Sequence, residues 1–141
     1  MSEIKCIGAI ELSSIAQAYR VQDALLKAAQ VELLIARTIC SGKYLIVYAG
    51  GVSDVESAAA AARELAGEAM IDELVLPHVD GQVMAALGQS VVLEDGEAGA
   101  LGIVESFSGV SILDAADAAA KAARVKLFRI HVAMAVGGKG F

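Results

Sequence analysis

Two cysteines, two histidines and a repeated glutamate are the side chains of this 141-residue sequence best suited to chemistry. Cys6 and Cys40 lie 34 positions apart, and no CxxC pair or histidine cluster accompanies them to complete a zinc site. Isolated cysteines of this kind are typical of reduced, mostly buried thiols. We therefore expect free thiols and no metal site.

The histidines and glutamates do not form a recognisable catalytic set. His78 follows Pro77 at the end of a predicted strand, and His131 lies inside another, Leu127–Val132. Neither histidine has a serine, cysteine or carboxylate partner at a catalytic spacing. Glu11 and Glu105 are suitable types for acid–base catalysis, but they recur at equivalent places in the sequence, which favours a structural role. The sequence predicts a protein that is not an enzyme.

The composition argues against some classes of binding partner and favours others. The net charge is −6, and no run of Lys or Arg is present, which argues against nucleic acid and anionic membranes. The apolar runs are too short to span a bilayer, and the N-terminus lacks a signal-peptide pattern, so we expect a cytoplasmic protein. The apolar fraction of 57% is dominated by Ala and Val and leaves apolar surface for a partner subunit. Oligomerisation is expected.

An internal repeat organises the chain. Ile7–Glu11 reappears 94 positions later as Leu101–Glu105, and the match continues without a gap over 27 residues. A two-residue insertion then places Gly138–Lys139 opposite Gly42–Lys43. We predict a first domain at residues 4–88, an acidic, Gly-containing linker at 89–99 and a second copy at 100–141. The second copy matches only the first half of the first, and is therefore truncated relative to it.

Each complete copy is predicted to run β-α-β-β-α-β. This order is typical of the ferredoxin-like fold of the α+β class, an antiparallel sheet with both helices on one face. The first helix is expected to bury Val21, Ala24, Leu25 and Ala28, and Asp54 is expected to cap the second. The predicted elements are Lys5–Leu12, Ile15–Ala29, Val31–Ile39, Tyr44–Ala49, Asp54–Ala66 and Ile71–Pro77, with a short helix at Asp80–Leu87.

Four motifs resemble the shell-protein (BMC) domain of bacterial microcompartments: Ile7–Glu11, Asp23–Leu33, Ser41–Lys43 and Gly51–Val55. Two such domains in one chain resemble the tandem class, whose members form trimers that mimic hexamers. The resemblance implies a structural shell-facet protein of a microcompartment in the cytoplasm, with a central pore for metabolites. It implies as partners further copies of the chain, in a homotrimer, and other shell proteins.

The resemblance also assigns roles to particular residues. Lys27 and Lys121 match the lysine that lies along its counterpart at the edge of a neighbouring oligomer. The turns after the second strand of each copy match the loop that surrounds the pore, and the first loop of the second copy is an alternative lining. The candidate pore residues are Cys40, Ser41, Gly42, Lys43, Val136, Gly137 and Gly138, with Ser108, Gly109 and Ser111 as the alternative.

Some tandem members of the family hold an iron–sulfur cluster on the trimer axis, with one cysteine from each subunit. The matching position here is Ile112, and the second copy contains no cysteine, so no cofactor is expected. Three alternatives stay open: an electron-transfer shell component that carries such a cluster, a metal or redox site formed by three copies of Cys40, and a small ferredoxin-like regulator or enzyme.

Overall fold

The structure is a computed structural model that describes residues 4–97 and 99–141. Its backbone divides into two compact units, one comprising the described residues up to Val79 and the other Asp80–Phe141. The repeat-based division instead places residues 80–88 in the first domain, and that division stays a prediction. The elements are β1 (Cys6–Leu12), α1 (Ile15–Ala28), β2 (Val31–Ile39), β3 (Lys43–Gly50), α2 (Val52–Ala66), a 3-10 turn (Gly67–Ala69), β4 (Met70–Pro77), α3 (Gly81–Leu87) and α4 (Ser111–Ala122).

The first unit contains the predicted antiparallel sheet. Its strand order is β2-β3-β1-β4, so that β1 pairs with β3 on one side and with β4 on the other. All seven residues of β1 are buried, as expected for a strand inside a sheet. Alternate residues of β1 and β3, among them Ile10 and Ile46, join the buried side chains of α1 and α2 in one core. The predicted fold and the placement of both helices on one face are confirmed.

Helix α1 begins where the sequence predicts. Ser14 is its N-cap, and the Ser14 hydroxyl accepts a hydrogen bond from the Gln17 amide at 3.2 Å. The buried face differs from the prediction, which included Ala24 and Ala28. It consists instead of Ala18, Val21 and Leu25, while Ala24 is half-buried and Ala28 is exposed, because the last turn of the helix extends beyond the core.

Helix α2 begins earlier than predicted. Gly51 is its N-cap and Asp54 lies in its first turn, where the carboxylate accepts a hydrogen bond from the Gln30 amide at 3.3 Å. The prediction that Asp54 is the cap was wrong, because that carboxylate is used by the end of another helix. Gly67 is the C-cap of α2 and has φ of 50°.

A glycine in β1 makes room for an aromatic ring. Gly8 faces Tyr48 in the β1–β3 register, and a Cβ atom at Gly8 would overlap the tyrosine ring. Both residues lie in the buried core, where the ring has no space to move aside. Glycine is therefore required at this position by packing.

The second unit contains α3 and α4 and lacks named strands among its described residues. Asp80 caps α3 by accepting a hydrogen bond from the Gln82 amide at 2.9 Å. The strands predicted at Leu101–Glu105 and Leu127–Val132 do not form, and the described pairing there is limited to isolated bridges of Gly140. The prediction failed because β1 of the first copy is held by β3 and β4, and this sequence holds no second version of those strands.

Candidate pore turns and oligomer edges

The turn at residues 40–42 joins β2 to β3, as predicted. Gly42 has φ of 76°, a conformation that suits glycine, and Ser41 and Gly42 are exposed while Cys40 is half-buried. Lys43 begins β3, and its ammonium group forms an ion pair with the carboxylate of Glu11. The Glu11 side chain has no exposed surface and that of Lys43 is 22% exposed, so the pair is largely desolvated.

This ion pair changes what the turn presents to its surroundings. A buried carboxylate is costly unless a cation or hydrogen-bond donors compensate it, which explains why Lys43 folds back onto β1. The positive charge of Lys43 is therefore used within the unit. The groups that the turn exposes are the Ser41 hydroxyl and the backbone around Gly42, a neutral polar surface.

The structure brings together the two candidate pore segments of the second copy. The Ser106 amide donates to the Gly140 carbonyl at 2.8 Å, and the Gly140 amide donates back at 3.1 Å. A Cβ atom on Gly140 would lie 2.6 Å from Ile112, so only glycine permits this approach. The preceding turn contains Gly137 and Gly138 with φ of 67° and 84°. The alternative linings proposed from the sequence are thus neighbours within one unit.

The serines of this loop are hydrogen-bonded to each other where α4 begins. The Ser108 hydroxyl accepts a hydrogen bond from the Ser111 amide at 3.0 Å and lies 2.8 Å from the Ser111 hydroxyl. The equivalent pair in the first copy, Ser14 and Gln17, makes the same amide-to-hydroxyl bond. Gly109 between them is buried. The polar groups of Ser108 and Ser111 therefore hold the start of α4.

The two candidate edge lysines make equivalent contacts in different surroundings. Lys27 pairs with Asp23 one helical turn earlier at 2.7 Å, and their side chains are 74% and 63% exposed. Lys121 pairs with Asp117 at 2.6 Å, with 45% and 5% exposed. Asp117 also accepts a hydrogen bond from the Asp80 amide at 2.8 Å. The ion pair of Lys27 therefore lies at the surface, whereas Lys121 neutralises a buried carboxylate.

The cysteines and histidines lie in different environments. Cys6 is fully buried, and this burial raises the pKa of its thiol. His78 is exposed, and the His131 ring stacks on Phe141 with centroids 5.0 Å apart. Within the described residues, no group of three His, Cys, Asp or Glu side chains is placed to hold a metal ion. No described helix combines the length and apolar character that crossing a bilayer requires.

A cluster at the position that the resemblance indicates does not fit this chain. Ile112 occupies that position, is 3% exposed and packs against Gly140. Its side chain offers no thiolate, and thiolates are the usual ligands of iron–sulfur clusters.

Three contacts were not predicted from the sequence: the Glu11–Lys43 ion pair, the packing of Tyr48 on Gly8 and the anchoring of Asp80 by Asp117. The sequence did contain a signal for two of these contacts. Gly8 and Glu11 both recur at the repeat offset, and a glycine inside a strand indicates close approach of another group.

Comparison with known proteins agrees with this geometry. The BMC domain family matches residues 6–79 and 100–140, one segment in each copy of the repeat. The chain is 42% identical over 135 residues to the bacterial microcompartment shell protein PduT of Citrobacter freundii, an alignment that covers 96% of this chain and 72% of PduT. A crystal structure of a microcompartments protein from Desulfitobacterium hafniense DCB superposes with a TM-score of 0.77 at 37% identity, over 98% of this chain and 76% of that one. This chain therefore belongs to the BMC domain family of microcompartment shell proteins.

Proposed function

We propose that this protein is a structural tile of a microcompartment shell facet, acting as a trimer of pseudo-hexagonal outline around a central pore. One observation carries the proposal: a single chain holds two family segments whose helices α1 and α4 have the same Asp–Lys pairs and an equivalent serine hydrogen bond at their starts. Because each chain supplies two similar edges, three chains supply the six edges of a hexagonal tile. The activity is assembly and permeation, without bond-making.

The edge role rests on the exposure of Lys27. With 74% of its side chain exposed and only a surface partner, this lysine is free to lie along a neighbouring tile. Lys121 holds the equivalent place in the second copy. Because Lys121 also neutralises Asp117, its substitution affects folding as well as any contact between tiles.

Sheet assembly tests the edge role. Lys27→Asp with Lys121→Asp is expected to abolish extended sheets in electron micrographs while the trimer persists in solution. Lys27→Asp alone separates assembly from folding, since it leaves the Asp117 pair intact. Arg20→Asp, a charge reversal at another exposed site on α1, is the matched control. Unchanged sheets in the Lys27 variants would remove the edge role.

The pore role rests on the turn at residues 40–42. We propose that the Ser41 hydroxyl and the Gly42 backbone line the pore. Around the trimer axis, they alternate with a segment of the second copy, which is either Val136–Gly138 or the Ser108–Ser111 loop. A neutral, polar rim suits small polar metabolites better than ions. A short bifunctional thiol reagent is expected to join Cys40 residues of different subunits, and to fail with Cys40→Ser. A trimer that yields no Cys40 cross-link would place this turn away from the axis.

We propose that the tile works without an iron–sulfur cluster, because Ile112 stands at the expected ligand position. The alternative, electron transfer through a cluster or a metal held by three Cys40 thiols, predicts iron and visible absorption in anaerobically purified protein. Iron at one cluster per trimer, lost with Cys40→Ser, would favour that alternative.

A further inference from the structure

The turn at residues 40–42 contains no ionised side chain of its own. Between Thr38 and Tyr44, the sequence has one charged residue, Lys43. Lys43 pairs with Ile39 across the base of the turn. A lysine side chain is long and flexible, so its ammonium group can lie either over the sheet or beside the turn. The position of this group therefore decides whether the turn is neutral or positive.

The strand register places four ionisable side chains on one face of the sheet beside this turn. Four residues are consecutive cross-strand neighbours from β2 to β4: Arg37, Leu45, Glu11 and Asp72. Paired residues have their side chains on the same face of a sheet. Lys43 lies two residues before Leu45 on β3 and so shares that face. The charges of the two cations and the two carboxylates cancel, and neutralising one carboxylate leaves a cation in excess.

Glu11 determines where the Lys43 ammonium group lies. The Glu11 side chain has no exposed surface, that of Lys43 is 22% exposed, and the two form an ion pair. A buried carboxylate needs a cation beside it, and a half-buried ammonium group without a counter-charge is more stable in water. The adjoining turn is exposed at Ser41 and Gly42, so an ammonium group released from Glu11 regains water there.

We propose that Glu11 is the positioning residue that sets the charge selectivity of the pore, because it holds Lys43 away from the turn. This inference rests on the pore role proposed above for the turn at residues 40–42. With Glu11 ionised, the three turns of a trimer add no charge that would favour anions over uncharged polar solutes. With Glu11 neutralised, three ammonium groups surround the pore, and a ring of like charges attracts anions.

Cys40 makes the charge of the turn measurable, because its half-buried thiol lies in the turn. Iodoacetate and iodoacetamide are alkylating reagents of similar size that differ by one negative charge. The ratio of their rates at Cys40 depends on the local electrostatic potential, and the thiolate fraction cancels from the ratio because it affects both rates equally. Peptide mass spectrometry separates Cys40 from Cys6, which is fully buried and is expected to stay unmodified in the folded chain.

Glu11→Gln is expected to raise the iodoacetate-to-iodoacetamide ratio at least about threefold at ~0.01 M salt. At ~1 M salt the ratio is expected to be close to that of the wild type, because salt screens the attraction. Glu11→Gln combined with Lys43→Gln is expected to restore the wild-type ratio, since no released cation remains. Glu64→Gln, which removes one negative charge from the exposed surface of α2, is the matched control and is expected to leave the ratio unchanged. Circular dichroism checks the fold of each variant.

A second measurement needs only the wild-type chain. Acetylation is expected to modify Lys43 at least about threefold more slowly than Lys27, because Lys43 is held by a buried carboxylate whereas Lys27 has a surface partner. An unchanged alkylation ratio in Glu11→Gln, or a Lys43 acetylated as fast as Lys27, would overturn the proposal and leave the pore role intact. A raised ratio in a trimer whose Cys40 residues do not cross-link would also overturn it, and would show that the pore role is the part that fails.

Discussion

Both copies of the repeat form the first helix, but only one of them forms the strands. Ser14 and Ser108 make the same amide-to-hydroxyl bond at the starts of α1 and α4. Both helices end at an extended alanine, Ala29 with φ −156° and Ala123 with φ −146°. By contrast, Ile7–Glu11 is a central strand and Leu101–Glu105 is not paired as one.

This difference separates local from long-range determinants of the fold. A helix satisfies most of its backbone within its own sequence, so α4 forms without distant neighbours, although it has 12 residues where α1 has 14. A strand satisfies its backbone only through neighbours that are distant in sequence. The strand neighbours of Ile7–Glu11, β3 and β4, exist once in this sequence, and only one copy is therefore a sheet.

The same substitution made at equivalent positions tests most directly whether the two copies differ in packing. Gly8→Ala drives a methyl group into the buried Tyr48 ring and is expected to cost about 3 kcal/mol of unfolding free energy. Gly102→Ala is expected to change it by less than about 0.5 kcal/mol, because its Cβ meets nothing. Urea unfolding of both variants measures the difference. Equal losses would mean that the two glycines have the same surroundings.

The ion pair of the first copy offers the next comparison. Lys43→Met leaves the Glu11 carboxylate buried without its cation, and a loss of about 2 kcal/mol is expected. Lys139→Met, at the equivalent exposed position, is expected to be neutral within about 0.5 kcal/mol. Thermal unfolding of the two variants at low and high salt provides the check. A neutral Lys43→Met would show that other groups compensate Glu11.

The helix carboxylates Asp23 and Asp117 give a smaller effect. Here the substitution in the second copy is expected to cost more than that in the first, because Asp117 is buried and Asp23 is exposed. Asp117→Ala removes the acceptor of the Asp80 amide and the partner of Lys121, and about 1–2 kcal/mol is expected to be lost. Asp23→Ala removes only a surface pair, with an expected loss of about 0.3 kcal/mol. Chemical unfolding resolves these values. A larger loss at Asp23 than at Asp117 would reverse the comparison.

The smallest expected effect concerns pH. Burial, reinforced by nearby Glu73, raises the pKa of Tyr48, so the folded state favours the neutral phenol. Stability from this group is present below the unfolded pKa of about 10 and is lost as pH rises above it. Tyr48→Phe is expected to flatten that alkaline decline by about 1 kcal/mol, because phenylalanine has no proton to lose at high pH. Tyr19→Phe, at a site 59% exposed, is the control.

The sequence correctly predicted the features that depend on residues close together in the chain. The six predicted elements of the first unit and the turn before Lys43 follow from periodicity and from turn residues. The Asp54 cap was predicted wrongly because the Asp54 carboxylate accepts from Gln30, a residue distant in sequence that lies between α1 and β2. The exposure of Leu101–Glu105 was not predictable either, since the repeat indicates the same propensity as in β1 and propensity alone does not form a sheet.

The sequence predicted which positions form the candidate site, but not the contacts or the burial of their side chains. That Lys43 turns inward onto Glu11 follows from the depth of β1 in the sheet, which no local pattern records. Likewise, Lys27 and Lys121 look identical in sequence, and only the fold buries Asp117 beside one of them.

The native mass of the purified chain tests whether the protein is a trimer. We expect a single species of three times the chain mass, which persists in the Lys27→Asp variant while extended sheets disappear. A protein that stays monomeric at every concentration, or one that forms closed dimers, would contradict it.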